Sequence, residues 1–164
     1  TLLAYTLDVM PSGRIFHKRA GDVLLENGRL PEAIKHFHLA LEQTPEAAAA
    51  VHVNLGIAYM KNRELVLAVH HLETALRIEP ANANALHNLG NALLSTGKIA
   101  EAIDHFRRAL KINPASYRTY NSLATAFLNK GEVTKAILCL KQALELQPAY
   151  ETARKNLEKL EESY

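Results

Sequence analysis

Few side chains in this 164-residue chain are of a type and spacing that could do chemistry, and the clearest recur in columns. Asn54, Asn88, Ser122 and Asn156 follow one another at 34 residues. A side-chain amide offers two donors and an acceptor, so a regular row of them can pair with the backbone of an extended chain without reading its side chains. The same column also suits asparagines that cap or bridge neighbouring helices, or solvate a groove. A second column holds His36, His71 and His105, with Cys139 next in step. Imidazole titrates near neutrality and ligates metals. However, equivalent helices of stacked repeats lie roughly 8–10 Å apart, too far for one ion to bind three of them at the Zn–N distance of about 2.0–2.1 Å. His70 and His71 are adjacent and point to different faces of their helix, so the expected metal set is none. His17 and His52 are expected to pack as polar-tipped rings.

Catalysis finds no support. The seven glycines form no phosphate-cradling loop, and neither H-E-x-x-H nor G-x-S-x-G occurs. Cys139 is the only cysteine, which leaves no disulfide, no Cys-rich metal knuckle and no thiol–imidazole arrangement for nucleophilic attack. No catalytic residue, cofactor or metal is therefore expected. Lys plus Arg is 19 and Asp plus Glu 17, a balance without the basic footprint of nucleic-acid binders. No apolar run approaches the roughly 18 residues of a membrane span, and each apolar helix face is used in stacking, so direct membrane insertion is not expected. One cysteine decides nothing between a cytoplasmic and a periplasmic setting.

The elements that position these columns follow from the prolines. Pro11 to Pro45, Pro80 to Pro114 and Pro114 to Pro148 are each 34 residues, and Pro45 to Pro80 is 35. In step run Ala33, Ala68, Ala102 and Ala136; Phe37, Leu72, Phe106 and Leu140; Ala40, Ala75, Ala109 and Ala143; and Leu41, Leu76, Leu110 and Leu144. Within a unit the apolar residues fall three to four apart, first at Leu86, Leu89, Leu93 and Leu94 and again from Ile99 to Leu110, which is one face of each of two helices. Gly28, Gly97 and Gly131 mark the turn between them; in the second unit Asn62 is the expected left-handed residue. Gly56 and Gly90, with Ala20-Gly21 and Ala124, are expected opposite the second-helix alanines. Proline ends each second helix by extending the residue before it. No helix pair can cover its own apolar face, so the units must stack.

The pattern Asn88-Leu89-Gly90, then Glu101-Ala102-Ile103-Asp104-His105-Phe106-Arg107-Arg108-Ala109-Leu110 and Pro114, resembles the tetratricopeptide repeat. The resemblance implies an all-α fold, a right-handed α-solenoid of stacked antiparallel helix pairs. Residues 14-47, 48-82, 83-116 and 117-150 read as four repeats. Residues 1-13 read as the end of the second helix of a truncated preceding repeat, with Leu7, Val9 and Pro11 in its columns. Residues 151-164 read as a C-terminal capping helix with Leu157 and Leu160 apolar. The start at Thr1 reads as a soluble segment of a longer chain.

The family resemblance further implies a concave groove lined by first helices, binding a protein or peptide partner as an extended segment or a partner helix. The positions that match that face also include Asp22, Glu26, Val53, Ile57, Thr125, Asn129, Thr152, Lys155 and Lys159, and those that form the candidate site are Lys18, Arg19, Asn54, Lys61, Asn84, His87, Asn88, Asn91, Arg118, Asn121, Ser122 and Asn156. They make a scaffold surface that is Asn-rich and mildly basic. The amide column resembles the asparagine ladder in the repeat region of O-linked N-acetylglucosamine transferase. A chaperone carboxylate clamp, by contrast, matches only at Lys18 and Asn54, with Asp22, Asn84 and Asn88 where Asn, Lys and Arg would stand. The alternative function is a substrate-positioning arm of a larger enzyme, since the first eleven residues followed by repeats resemble the tail of a membrane glycosyltransferase of the O-mannosyltransferase type. Self-association through the N-terminal repeat face, at Ile15 and Phe16, is a third expectation.

Overall fold

The computed structural model describes residues 13–43 and 48–162. The expectations on Leu7, Val9, Pro11, Pro45 and the Ile15 side chain lie outside what is described. Among the described residues the chain forms nine α-helices and no strand. It divides into two compact units, residues 1–80 and 81–164. Unit 1 holds α1 (Gly13–Glu26), α2 (Leu30–Gln43), α3 (Ala48–Lys61) and α4 (Leu65–Ile78); unit 2 holds α5 (Ala83–Ser95), α6 (Ile99–Ile112), α7 (Tyr117–Asn129), α8 (Val133–Leu146) and α9 (Glu151–Glu161). Consecutive helices pack against each other within each unit, and the first helices touch as well: α1 with α3, and α5 with α7. Short connections between packed neighbours make the pairs antiparallel.

The turns form as the glycine spacing requires, with one correction. Gly28, Gly97 and Gly131 have φ of 73°, 79° and 80°, but in the second repeat the left-handed residue is Arg63 at φ 63°, not Asn62. Register decides this, because Arg63 stands 34 residues before Gly97 and inherits its backbone angles along with its place. The hydrogen bonds from Gly97 N to Leu94 O (3.1 Å) and Lys98 N to Leu93 O (2.9 Å) close the turn around that conformation. Glu79, Asn113 and Gln147 leave their helices at φ −127°, −127° and −141°, the extended geometry that a following proline imposes. Asn82 caps α5 by accepting from Ala85 N at 2.9 Å.

The second helix of each repeat buries one large side chain completely among alanines. Phe37 and Leu72 in unit 1, and Phe106 and Leu140 in unit 2, are fully buried, as are Ala33, Ala68, Ala102 and Ala136. Burying such a side chain contributes about 1.5–3 kcal/mol. The glycine column makes room for this large residue. The atoms nearest a β-carbon on Gly21, Gly56 or Gly90 belong to Phe37, Leu72 and Phe106 respectively. The closing leucines, Leu41, Leu76, Leu110 and Leu144, are only half-buried. In α9, Ala153 is buried and Leu157 and Leu160 are half-buried, while the other described side chains are charged or polar.

Candidate peptide-binding surface

The candidate residues sit on the first helix of each pair and on α9. In unit 1, Asp22 on α1 is the hub. Lys18 Nζ donates to Asp22 Oδ2 at 2.9 Å, and Asn54 Nδ2, from α3, donates to Asp22 Oδ1 at 2.6 Å. The Asn54 amide is thus tied to the preceding first helix. Its orientation is fixed by a charged acceptor, and charge-assisted hydrogen bonds are the stronger kind. Arg19 and Lys61 are exposed.

In unit 2 the amides are held by a longer chain of contacts. Asn91 Nδ2 meets His87 Nε2 at 3.0 Å, and His87 Nδ1 meets Thr119 Oγ1, on α7, at 3.0 Å. An amide nitrogen only donates, so Nε2 accepts and the ring proton sits on Nδ1, which donates to the threonine hydroxyl. That hydroxyl pairs with Ser116 Oγ at 2.8 Å, and Ser116 caps α7. Thr119 is 2% exposed, the one buried polar residue among those described, and this chain satisfies it. Burial, with the nearby Arg118 charge second, lowers the basicity of His87 and keeps the ring neutral.

Asn88 Nδ2 donates to Asn84 O of its own helix at 2.9 Å. Asn156 Nδ2, on α9, donates to Asn121 Oδ1, on α7, at 3.2 Å. Ser122 is half-buried. The guanidinium of Arg118 lies 5.8 Å from the centre of the Tyr117 ring, whose other neighbour is the Tyr150 ring at 4.9 Å, edge-on. Two amides of the column thus take the bridging role that the sequence left open beside the ladder. Asn54 and Asn156 reach back to the preceding first helix, and Asn88 is anchored within its own helix. Each keeps its carbonyl oxygen or second N–H for another partner.

Thr119 and Ser116 lie outside the face expected from the sequence, and Asp22 lies on that face but outside the candidate site. The spacing that signals Asp22 and Thr119 is 32 residues, since Asp22 to Asn54 and His87 to Thr119 are the same step.

The histidine columns also meet, within a repeat and not between repeats. His17 Nδ1 lies 3.0 Å from His36 Nδ1, and His52 Nδ1 lies 2.9 Å from His71 Nδ1. His17 and His52 do pack as polar-tipped rings, each through a polar contact with the second helix. The constant 19-residue step between the columns is the sequence signal, and in unit 2 the same step joins Leu86 to His105 and Tyr120 to Cys139. Tyr59 stacks on His71 with ring planes 4° apart and centres at 5.4 Å. Burial lowers the pKa of His36 and His52, and lowers that of His71 to about 4, the neighbouring imidazoles adding to it. The Cys139 thiol is half-buried and its pKa is raised to about 11 by desolvation.

No described helix is long and apolar enough to cross a membrane. Among known proteins, no curated sequence matches the chain. It is similar in structure to MamA from Desulfovibrio magneticus RS-1 at 19% identity and a TM-score of 0.78, covering 93% of this chain and 85% of that one. It is similar to YrrB at 22% identity and a TM-score of 0.76, covering 93% and 78%. The match to PilF from Pseudomonas aeruginosa has 22% identity and a TM-score of 0.83, covering 91% and 68%. Tetratricopeptide repeat models match residues 1–50, 83–116 and 117–150. With helix pairs in this register and these matches along most of its length, the chain belongs to the tetratricopeptide repeat family.

Proposed function

We propose that this chain is a non-catalytic protein-interaction scaffold whose first helices bind an extended peptide or partner helix. The main contact surface is α5, α7 and α9 of unit 2, with Lys18, Arg19, Asn54 and Lys61 of unit 1 forming a second patch. The observation that carries the reading is the pre-organisation of the amides. Asn91, Asn121 and Asn156 are each held by a hydrogen bond to another side chain, so little rotamer entropy remains to be lost on binding. Neither α5 nor α7 contains an Asp or Glu, Arg118 is exposed on α7, and the acidic and basic side chains of α9 balance. A partner backbone with acidic side chains suits such a surface in hydrogen bonding and in charge. YrrB, a solved structure similar to this chain, is a TPR protein with an unusual peptide-binding site. Reaction chemistry has little to work with, since the single thiol is raised to about 11 and stays protonated at neutral pH.

Selection of a displayed random-peptide library on the immobilised chain tests the proposal. Peptides should enrich on the wild type and fail to enrich on an Asn88→Ala/Arg118→Glu variant of equal helicity. Equal enrichment on both would place binding off this surface.

A further inference from the structure

Unit 1 contains two imidazole pairs of one geometry. In each, the Nδ1 atoms of a first-helix and a second-helix histidine face each other, at 3.0 Å for His17 and His36 and at 2.9 Å for His52 and His71. We propose that each pair is a two-imidazole site for a late first-row divalent cation, of the Ni2+, Cu2+ and Zn2+ class, that clamps the two helices of its repeat together. Imidazole is the ligand such ions favour. A tetrahedral ion with bonds of about 2.0–2.1 Å sets its ligand nitrogens ~3.3–3.4 Å apart, so each pair need open by only a few tenths of an ångström.

The rings are held for the task. Tyr59 stacks flat on His71, and the His38 ring meets His71 edge-on at 5.9 Å; His38 is fixed in turn by Nε2 to the Tyr59 hydroxyl at 3.2 Å. Phe16 packs edge-on against His17 at 5.9 Å. The single Nδ1 proton shared by a pair moves to Nε2 of its own ring, leaving two lone pairs facing the ion, and the charge balance is unchanged. No three or more His, Cys, Asp or Glu side chains converge on a metal geometry among the described residues. The remaining coordination positions are therefore water, and the site is an open two-ligand clamp. Unit 2 is the internal control, because its corresponding columns pair Leu86 with His105 and Tyr120 with Cys139 and supply no second imidazole.

The test is calorimetric titration of the full chain with NiCl2 at pH 7.5 in a non-coordinating buffer, with thermal unfolding read alongside. The wild type should take up two Ni2+, one per pair, and its unfolding midpoint should rise with added metal. His17→Leu and His52→Leu, which copy the Leu86–His105 arrangement, should each lose one equivalent, and the double variant both. Should a leucine variant fail to fold, His36→Gln and His71→Gln remove the other half of each pair and should give the same losses. His105→Leu should leave uptake unchanged. Absence of uptake by the wild type would reduce the pairs to plain N–H···N hydrogen bonds and overturn the proposal. So would equal uptake by a folded double variant, which would show binding to scattered surface histidines.

Discussion

Gly90 and the Phe106 ring are in closer contact than any side chain at position 90 would allow. A β-carbon there would fall 2.5 Å from Phe106 Cε1, and Phe106 is fully buried. Gly90→Ala should therefore destabilise unit 2 by about 1–3 kcal/mol, the cost of overpacking a filled core, seen as a lower urea midpoint with an unchanged slope. The fourth repeat carries Ala124 and Leu140 in the same two columns, so adding Phe106→Leu to Gly90→Ala should recover part of the loss. A single variant as stable as the wild type would show that the close approach is not what selects glycine.

Arg63 occupies the left-handed turn that glycine holds in the other repeats. A non-glycine residue there costs roughly 1–2 kcal/mol in backbone energy, offset in part by the smaller entropy that arginine loses on folding. Arg63→Gly should thus stabilise unit 1 by about 0.5–1 kcal/mol, raising its thermal midpoint. A lower midpoint would mean that the exposed arginine side chain contributes more than its backbone costs.

His87 predicts a pH dependence for unit 2. Its folded pKa is lowered from 6.5 by desolvation first and Arg118 second, so the unfolded chain takes up the proton more readily. The contribution of neutral His87 is fully present above pH 6.5 and is lost as pH falls through that value toward the lower folded pKa. The imidazole should titrate below 6.5 by NMR, and the Asn91 side-chain amide protons should lose their protection as it does, because a protonated Nε2 no longer accepts from them. A His87 midpoint at or above 6.5 would contradict the Asn91–His87–Thr119 chain.

Most of the fold is legible in the sequence, because the 34-residue columns of Ala, Phe or Leu and Pro are each forced by one packing or backbone constraint. Where the reading slipped, the constraint was relational. Asn62 was favoured over Arg63 on residue preference alone, but the left-handed site is set by register with Gly97. Residue size alone pairs the glycines with alanines and does not show that the atoms nearest to their missing β-carbons belong to the large residue, Phe37, Leu72 or Phe106. The candidate surface was legible as an amide-rich face of the first helices. Its internal bridges were not, because Asn54 to Asp22 and Asn156 to Asn121 join positions that no single column contains. The two histidine columns were likewise weighed along the stack, while the contact runs across each repeat.

The central claim is that an extended partner lies on the amide face of unit 2. Its most direct test is the calorimetric affinity of a library-selected peptide for the wild type and for the Asn88→Ala/Arg118→Glu variant. Loss of one backbone-directed amide and reversal of one charge should weaken binding at least about tenfold, or ~1.4 kcal/mol, with helicity unchanged. An affinity that stays the same in the folded variant would contradict the account and move the binding surface elsewhere on the chain.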